Sequence, residues 1–169
     1  NTQKEAFEQM NYSLDCGINF FDAAEIYPSP CRKDTFGETE KIIGKWLNQK
    51  KNRDKIVLAS KIAAPGLSWV RDGGQNYSEK KIEKALEDSL KRLQTDHIDL
   101  YQLHWPERKT NFFGRLSYNH KEEDSWNDFE KVLIALEKFV KQGKIRYVGL
   151  SNETPWGLSK FLEISKTKK

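Results

Sequence analysis

The sequence predicts an α/β fold built on a parallel sheet. Three observations carry that expectation. Short apolar runs alternate with longer amphipathic ones along the chain. Four of the short runs begin near residues 18, 56, 98 and 146, so their spacing is roughly forty residues, enough for a strand, a helix and two loops. One helical pattern lies between each pair. That is the rhythm of repeated βα units, whose strands run parallel and are expected to be buried on both faces. Two architectures satisfy it. One is an open doubly wound sheet. The other is a (β/α)8 barrel, which takes about 250 residues and at least ~200. Four units make about half a barrel.

The elements follow in order. Phe7, Met10 and Leu14 keep helical spacing, and Gly17 ends that segment as a C-terminal glycine does. Ile18 to Asp22 reads as a strand. Thr35-Phe36-Gly37-Glu38 fits a capping box, opening a helix with Ile42, Ile43, Trp46 and Leu47 on one face. Ile56 to Ala59 is the second strand. Ser78 is placed to cap a helix whose stripe is Ile82, Ala85, Leu86, Ser89, Leu90 and Leu93. Ile98 to Leu103 is the third strand. A long loop leads to a helix with Phe129, Val132, Leu133, Leu136 and Val140, closed by Gly143. Arg146 to Leu150 is the fourth strand. Thr154-Pro155 supplies an N-cap and an N1 proline for a last helix.

Composition narrows the function classes. The 169 residues suit one domain, with no linker or low-complexity tract. Lys and Arg total 29 against 25 Asp and Glu, a formal charge of +4. That is mild, and the basic runs at Lys50-Lys51, Lys80-Lys81 and residues 166–169 read as solvated helix ends, so no nucleic-acid partner is expected. Five Trp, nine Phe and six Tyr are enough for a real core. No run of eighteen apolar residues exists, so no membrane partner is expected either. The N-terminal residues show neither an initiator Met nor an apolar signal core. Cys16 and Cys31 form no CxxC pair, which makes a reducing cytoplasm the expected compartment.

Polar residues recur at one point of each unit. Asp22 closes the first strand, with Tyr27 in the loop behind it. Lys61 closes the second, His104 the third, and Ser151-Asn152 the fourth. The C-terminal rim of a parallel sheet is where active sites gather. Singly, each has a plainer reading. Asp22 reads as a turn cap, Tyr27 as a packed loop aromatic beside Pro28, and Lys61 as a snorkelling lysine. His104 reads as a core histidine, and Ser151-Asn152 as capping residues before Pro155. Their convergence on one rim favours a site. A free tyrosine, with a pKa of about 10, is a poor acid at neutral pH. A nearby ammonium stabilises the phenolate, a carboxylate holds the ammonium, and a histidine orients a carbonyl. That set suits a hydride-transfer reductase in which tyrosine supplies the proton.

Other motifs are missing. There is no GxGxxG, and Gly73-Gly74 follows the wrong element for a dinucleotide turn. There is no P-loop. His97 and His104 lie at the two ends of one strand and His120 stands alone in a loop, so no metal is expected.

The residues resemble a known family. Gly17 to Tyr27, continued by Phe36 to Glu40, is similar to the first signature of the aldo-keto reductases. Leu58 to Lys61 resembles their lysine strand. Ser89 to Leu93 with Asp99 to Pro106 resembles the second signature, and Gly143 to Asn152 the strand that meets the nicotinamide. Glu107 to Asn111 and Ser151 to Thr154 are most similar to the Tas-like bacterial branch.

The resemblance implies a (β/α)8 TIM barrel that uses NADPH without a Rossmann fold. It implies Tyr27 as general acid, Lys61 as its partner, Asp22 as the orienting carboxylate and His104 as the carbonyl-orienting group. It implies Ser151 and Asn152 as the pair on the nicotinamide carboxamide, and Trp105 in the substrate pocket. The family's first strand and its last three βα units have no counterpart here. Residues 1–169 are therefore expected to be one incomplete barrel domain from a longer NADPH-dependent enzyme that reduces small-molecule aldehydes or ketones. Two alternatives stand beside this: a nucleotide-binding regulatory subunit, and a silent fragment that self-associates through its open edges. The long loops at 62–78 and 106–125, with Trp69, Phe112, Phe113 and Tyr118, either wall the pocket or pack on the remainder of a barrel.

Overall fold

Among the described residues, four strands form one parallel sheet in chain order: β1 (Phe20–Asp22), β2 (Val57–Ile62), β3 (Ile98–Leu103) and β4 (Ile145–Leu150). Five α-helices of the described residues, α1 (Gln3–Asp15), α2 (Glu38–Lys50), α3 (Glu79–Leu93), α4 (Phe129–Lys141) and α5 (Pro155–Thr167), alternate with them. This computed structural model describes residues 2–63, 67–71, 76–111, 116–118 and 128–167. The expectations placed on Gly73-Gly74, Phe112, Phe113, His120 and residues 168–169 lie outside that set.

The register fixes the two faces. Asp22 pairs with Ala59, Ala59 with Leu100, and Leu100 with Tyr147. Two residues on, Lys61 pairs with Gln102 and Gln102 with Gly149. Because side chains alternate along a strand, Asp22, Lys61, Gln102 and Gly149 share one face. Phe21, Leu58, Ile62, Tyr101 and Leu103 point the other way, into the core formed with the helices. The helix side of that core is the stripe expected for α3: Ile82, Ala85, Leu86, Ser89, Leu90 and Leu93 are all buried.

The strands are not all buried on both faces, contrary to the sequence expectation. β2 is enclosed for five of its six residues. At the sheet edges, Phe20 of β1 is 50% exposed and Tyr147 of β4 is 71% exposed. The described helices pack on the opposite face, that of Phe21, Leu58 and Tyr101.

Helix ends bear out some expectations and correct others. Gly17 adopts φ 81°, with Gly17 N–H donating to Leu14 O and Ile18 N–H to Ser13 O, the two bonds of a Schellman cap. Gly143 closes α4 the same way. Thr154 Oγ1 accepts the Gly157 N–H at 3.1 Å, as an N-cap should. The capping box lies at Thr2 and Glu5, ahead of α1. Thr35 makes none. Its hydroxyl turns back to Arg32 O, and α2 starts after Gly37 at φ 76° without a side-chain cap. Ser78 holds the N-cap position of α3, but its side chain makes no capping bond.

Candidate active site

The chain leaving β1 stays attached to β2. Ala23 N–H donates to Ala59 O at 2.9 Å and Glu25 N–H to Lys61 O at 3.2 Å. Asp22, Glu25 and the turn to Tyr27 are thereby held against the end of β2. Lys61 is buried, 3% exposed. A buried ammonium needs partners, and Lys61 has two. Its Nζ donates to Asp22 Oδ2 and to Ala23 O, each at 2.8 Å. Nζ also lies 5.1 Å from the centre of the Tyr27 ring. The other Asp22 oxygen accepts from Gln102 Nε2 at 2.9 Å. Gly149 makes room for this, since a methyl there would press on Gln102 Cγ at 3.0 Å.

His104 comes in from the end of β3, its N–H bonded to Ile62 O. Its ring meets Tyr27 edge-on at 5.6 Å and stacks on Trp105 at 6.4 Å. Burial, and then the Lys61 charge, push its pKa down to about 4, against the pull of Asp22. The imidazole is therefore neutral at pH 7. Its Nδ1 is buried and has no hydrogen-bond partner among the described residues.

Ser151 and Asn152 reach the same rim. Ser151 N–H donates to Leu103 O at 2.9 Å, extending the β3–β4 ladder. Asn152 takes φ 55°, a left-handed conformation that asparagine tolerates. Its Nδ2 donates to His104 O at 2.8 Å and to Ser151 Oγ at 3.1 Å. With the amide hydrogens so committed, Asn152 Oδ1 is left as an acceptor and the Ser151 hydroxyl as a donor. A carboxamide needs that complement, so the pair fits a nicotinamide. The structure thus gathers Asp22, Tyr27, Lys61, His104, Trp105, Ser151 and Asn152 at one end of the sheet. Trp69 packs edge-on to Phe36 at 5.7 Å, and Tyr118 is half exposed. Among the described residues, no three His, Cys, Asp or Glu side chains are grouped to hold a metal ion. No described helix is long and apolar enough to cross a membrane.

Sequence reasoning missed the layer beneath. Glu25 and Glu40 are fully buried. Glu25 accepts two bonds from Arg71, at 2.7 and 2.6 Å, and one from Ala63 N–H. Glu40 accepts from Arg92 Nε at 2.7 Å and from the Ser60 hydroxyl. Burial raises the Glu40 carboxyl above its usual range, against the Arg92 charge and these bonds. Arg108 makes a forked pair with Glu153, and its guanidinium lies over Trp156. The available signal was an acidic residue inside an apolar run, as in Ala23-Ala24-Glu25-Ile26. The partners stand far apart in sequence, so no local pattern joins them.

The model of the Aldo/keto reductase family matches residues 1–169. Protein tas of Escherichia coli K12 is 43% identical over 169 residues, covering 98% of this chain and 48% of that protein. An uncharacterized oxidoreductase of Bacillus subtilis, YrpG, is 41% identical over 162 residues, covering 94% of this chain and 43% of its own. Among solved structures, the holo form of aldo-keto reductase AKR11C1 from Bacillus halodurans superimposes with a TM-score of 0.70 at 30% identity, over 96% of this chain and 46% of that one. The chain thus spans about half the length of the relatives it matches. Of the two architectures open to the sequence, these neighbours select the (β/α)8 barrel, to which the four described strands contribute. A match running from the first residue to the last, and a relative 43% identical across nearly the whole chain, settle the assignment: the chain belongs to the aldo/keto reductase family.

Proposed function

We propose that the protein reduces aldehydes or ketones to alcohols with NADPH. The observation that carries this reading is the Lys61 ammonium, buried, fixed by Asp22 and Ala23 O, and set beside the Tyr27 ring. A charge fixed there favours the phenolate left behind when tyrosine gives up its proton. Tyr27 is the general acid, and its hydroxyl proton goes to the substrate carbonyl oxygen. Neutral His104 donates a hydrogen bond to that oxygen and orients it. Trp105, stacked on His104, lines the place where the carbonyl enters. Ser151 and Asn152 hold the nicotinamide carboxamide. The reduced nicotinamide, when bound, supplies the hydride to the carbonyl carbon. NADPH, with its extra 2′-phosphate, rather than NADH is inferred from family resemblance, and the reducing cytoplasm from sparse cysteine use.

The test is an absorbance assay of the whole protein with NADPH or NADH and a panel of aldehydes and ketones. NADPH oxidation is expected, and Tyr27→Phe should lower kcat by about 100-fold or more, the usual span of a lost general acid. Full turnover by Tyr27→Phe overturns the tyrosine assignment. One observation favours a second reading for the isolated chain. Phe20 and Tyr147 leave the site-bearing face open at both sheet edges. We therefore expect residues 1–169 alone to be catalytically silent and to bind NADPH weakly. Micromolar or tighter affinity in a monomer overturns that.

A further inference from the structure

Glu25 lies three residues after Asp22 and two before Tyr27, yet carbonyl chemistry makes no use of it. Its side chain is fully buried. It grips the C-terminal end of β2, at Lys61 and just beyond it. Its backbone N–H donates to Lys61 O at 3.2 Å, and its carboxylate accepts the N–H of Ala63. The same carboxylate takes the Arg71 fork at 2.7 and 2.6 Å, bringing in the loop after β2. The Arg92 guanidinium stands 3.9 Å away on the α3 side and links Glu25 to the Glu40 cluster. Three segments, carrying Tyr27, Lys61 and Arg71, therefore meet at one carboxylate. Buried ion pairs add little net stability compared with apolar packing, and fixing a unique arrangement is one attested use.

We propose that Glu25, locked by Arg71, is a positioning residue that sets the placement of Tyr27 against Lys61. This rests on the reading of Tyr27 as the acid and Lys61 as its partner. Apolar contacts elsewhere hold the fold, so the loss is expected in the chemical step rather than in binding. A displacement of about 1 Å at reacting groups costs on the order of 100-fold in rate.

The experiment uses the whole protein and four variants: Glu25→Gln, Arg71→Lys, the double variant Glu25→Gln/Arg71→Met, and Tyr27→Phe. Glu25→Gln should lower kcat by about 10- to 100-fold, with KM for the carbonyl and for NADPH within about twofold. Arg71→Lys keeps the charge but loses the fork, and should fall between. The double variant leaves no lone buried charge and guards against misfolding. It should melt as a folded protein and still turn over slowly. A second readout needs no cofactor. In protein labelled with 13C-tyrosine, the Tyr27 ring signal, assigned by its loss in Tyr27→Phe, should shift or broaden in Glu25→Gln, while that of exposed Tyr12 stays. Wild-type kcat in a folded Glu25→Gln or double variant, a loss carried by KM alone, or an unmoved Tyr27 signal overturns the proposal. Full activity in Tyr27→Phe instead overturns the underlying reading, so the two failures are told apart.

Discussion

His104 shows what burial does to a single residue. In an unfolded chain an imidazole takes its proton near pH 6.5. In the folded protein burial, helped by Lys61 and opposed by Asp22, pushes that value down to about 4. Between the two values the unfolded chain binds a proton that the folded one refuses. Its contribution to stability is therefore full above about pH 6.5 and is lost as pH falls toward 4. The melting temperature should drop over that window, and His104→Gln should flatten the drop. An unchanged slope would place the acid sensitivity elsewhere. At this scale the site was largely legible in sequence. Asp22, Tyr27, Lys61 and His104 each stand near the end of a strand or just after it, and strand ends can be counted. Gln102 was not legible as a partner of Asp22, because the two stand 80 positions apart and meet only through the register of three strands.

Between elements, α2 and α3 meet closely at Gly44. A methyl on Gly44 would collide with the Arg92 carbonyl oxygen and stand 2.7 Å from the Leu93 carbonyl carbon. Neither is a side chain that can swing aside. Gly44→Ala should therefore destabilise the fold by about 1–3 kcal/mol, the range for overpacking, as read from the urea midpoint. A neutral result would mean that the helices slide apart without loss. At the opposite end of the sheet, Asp99 of β3 ties strands together. Its carboxylate accepts Leu58 N–H at 2.8 Å, Arg53 at 2.7 Å and Arg146 at 2.6 Å. Burial works to raise its pKa, but these partners hold it below the usual carboxylate range. Asp99→Asn should cost roughly 1.5–3 kcal/mol, the worth of a hydrogen bond to a charged group, and should leave turnover of the folded protein unchanged. Helix bodies were legible here because apolar stripes repeat, as in α3. Caps were less so. The Thr35 pattern matches a capping box in letters, but Thr35 N–H and Glu38 N–H are already spent on turn bonds to Arg32 and Thr35 carbonyls.

On the scale of the whole molecule, the sheet order and the strand spacing were both readable, since parallel neighbours need a crossover of predictable length. The buried ionic layer was not, because Glu25 and Arg71, or Glu40 and Arg92, are chosen by three-dimensional proximity alone. Nor was the uneven covering of the sheet. Ile18, Phe20 and Tyr147 are half exposed or more at the sheet edges, and Leu158 and Leu162 flank a groove of about 570 Å³ beside β4. Apolar edges of this kind invite pairing. The isolated 169-residue chain should sediment as more than a monomer at micromolar concentration, and Phe20→Lys with Tyr147→Lys should shift it toward monomer. A monodisperse wild-type monomer would refute this. The Arg108–Glu153 fork has a different reach. It joins the loop after β3 to the turn after β4, and both side chains are less than a tenth exposed. Either stretch transplanted alone into a foreign barrel would strand one of these charges in a dry place. For a chimera builder the two are a single exchangeable cassette, and any loop swap at this rim has to carry both halves across together.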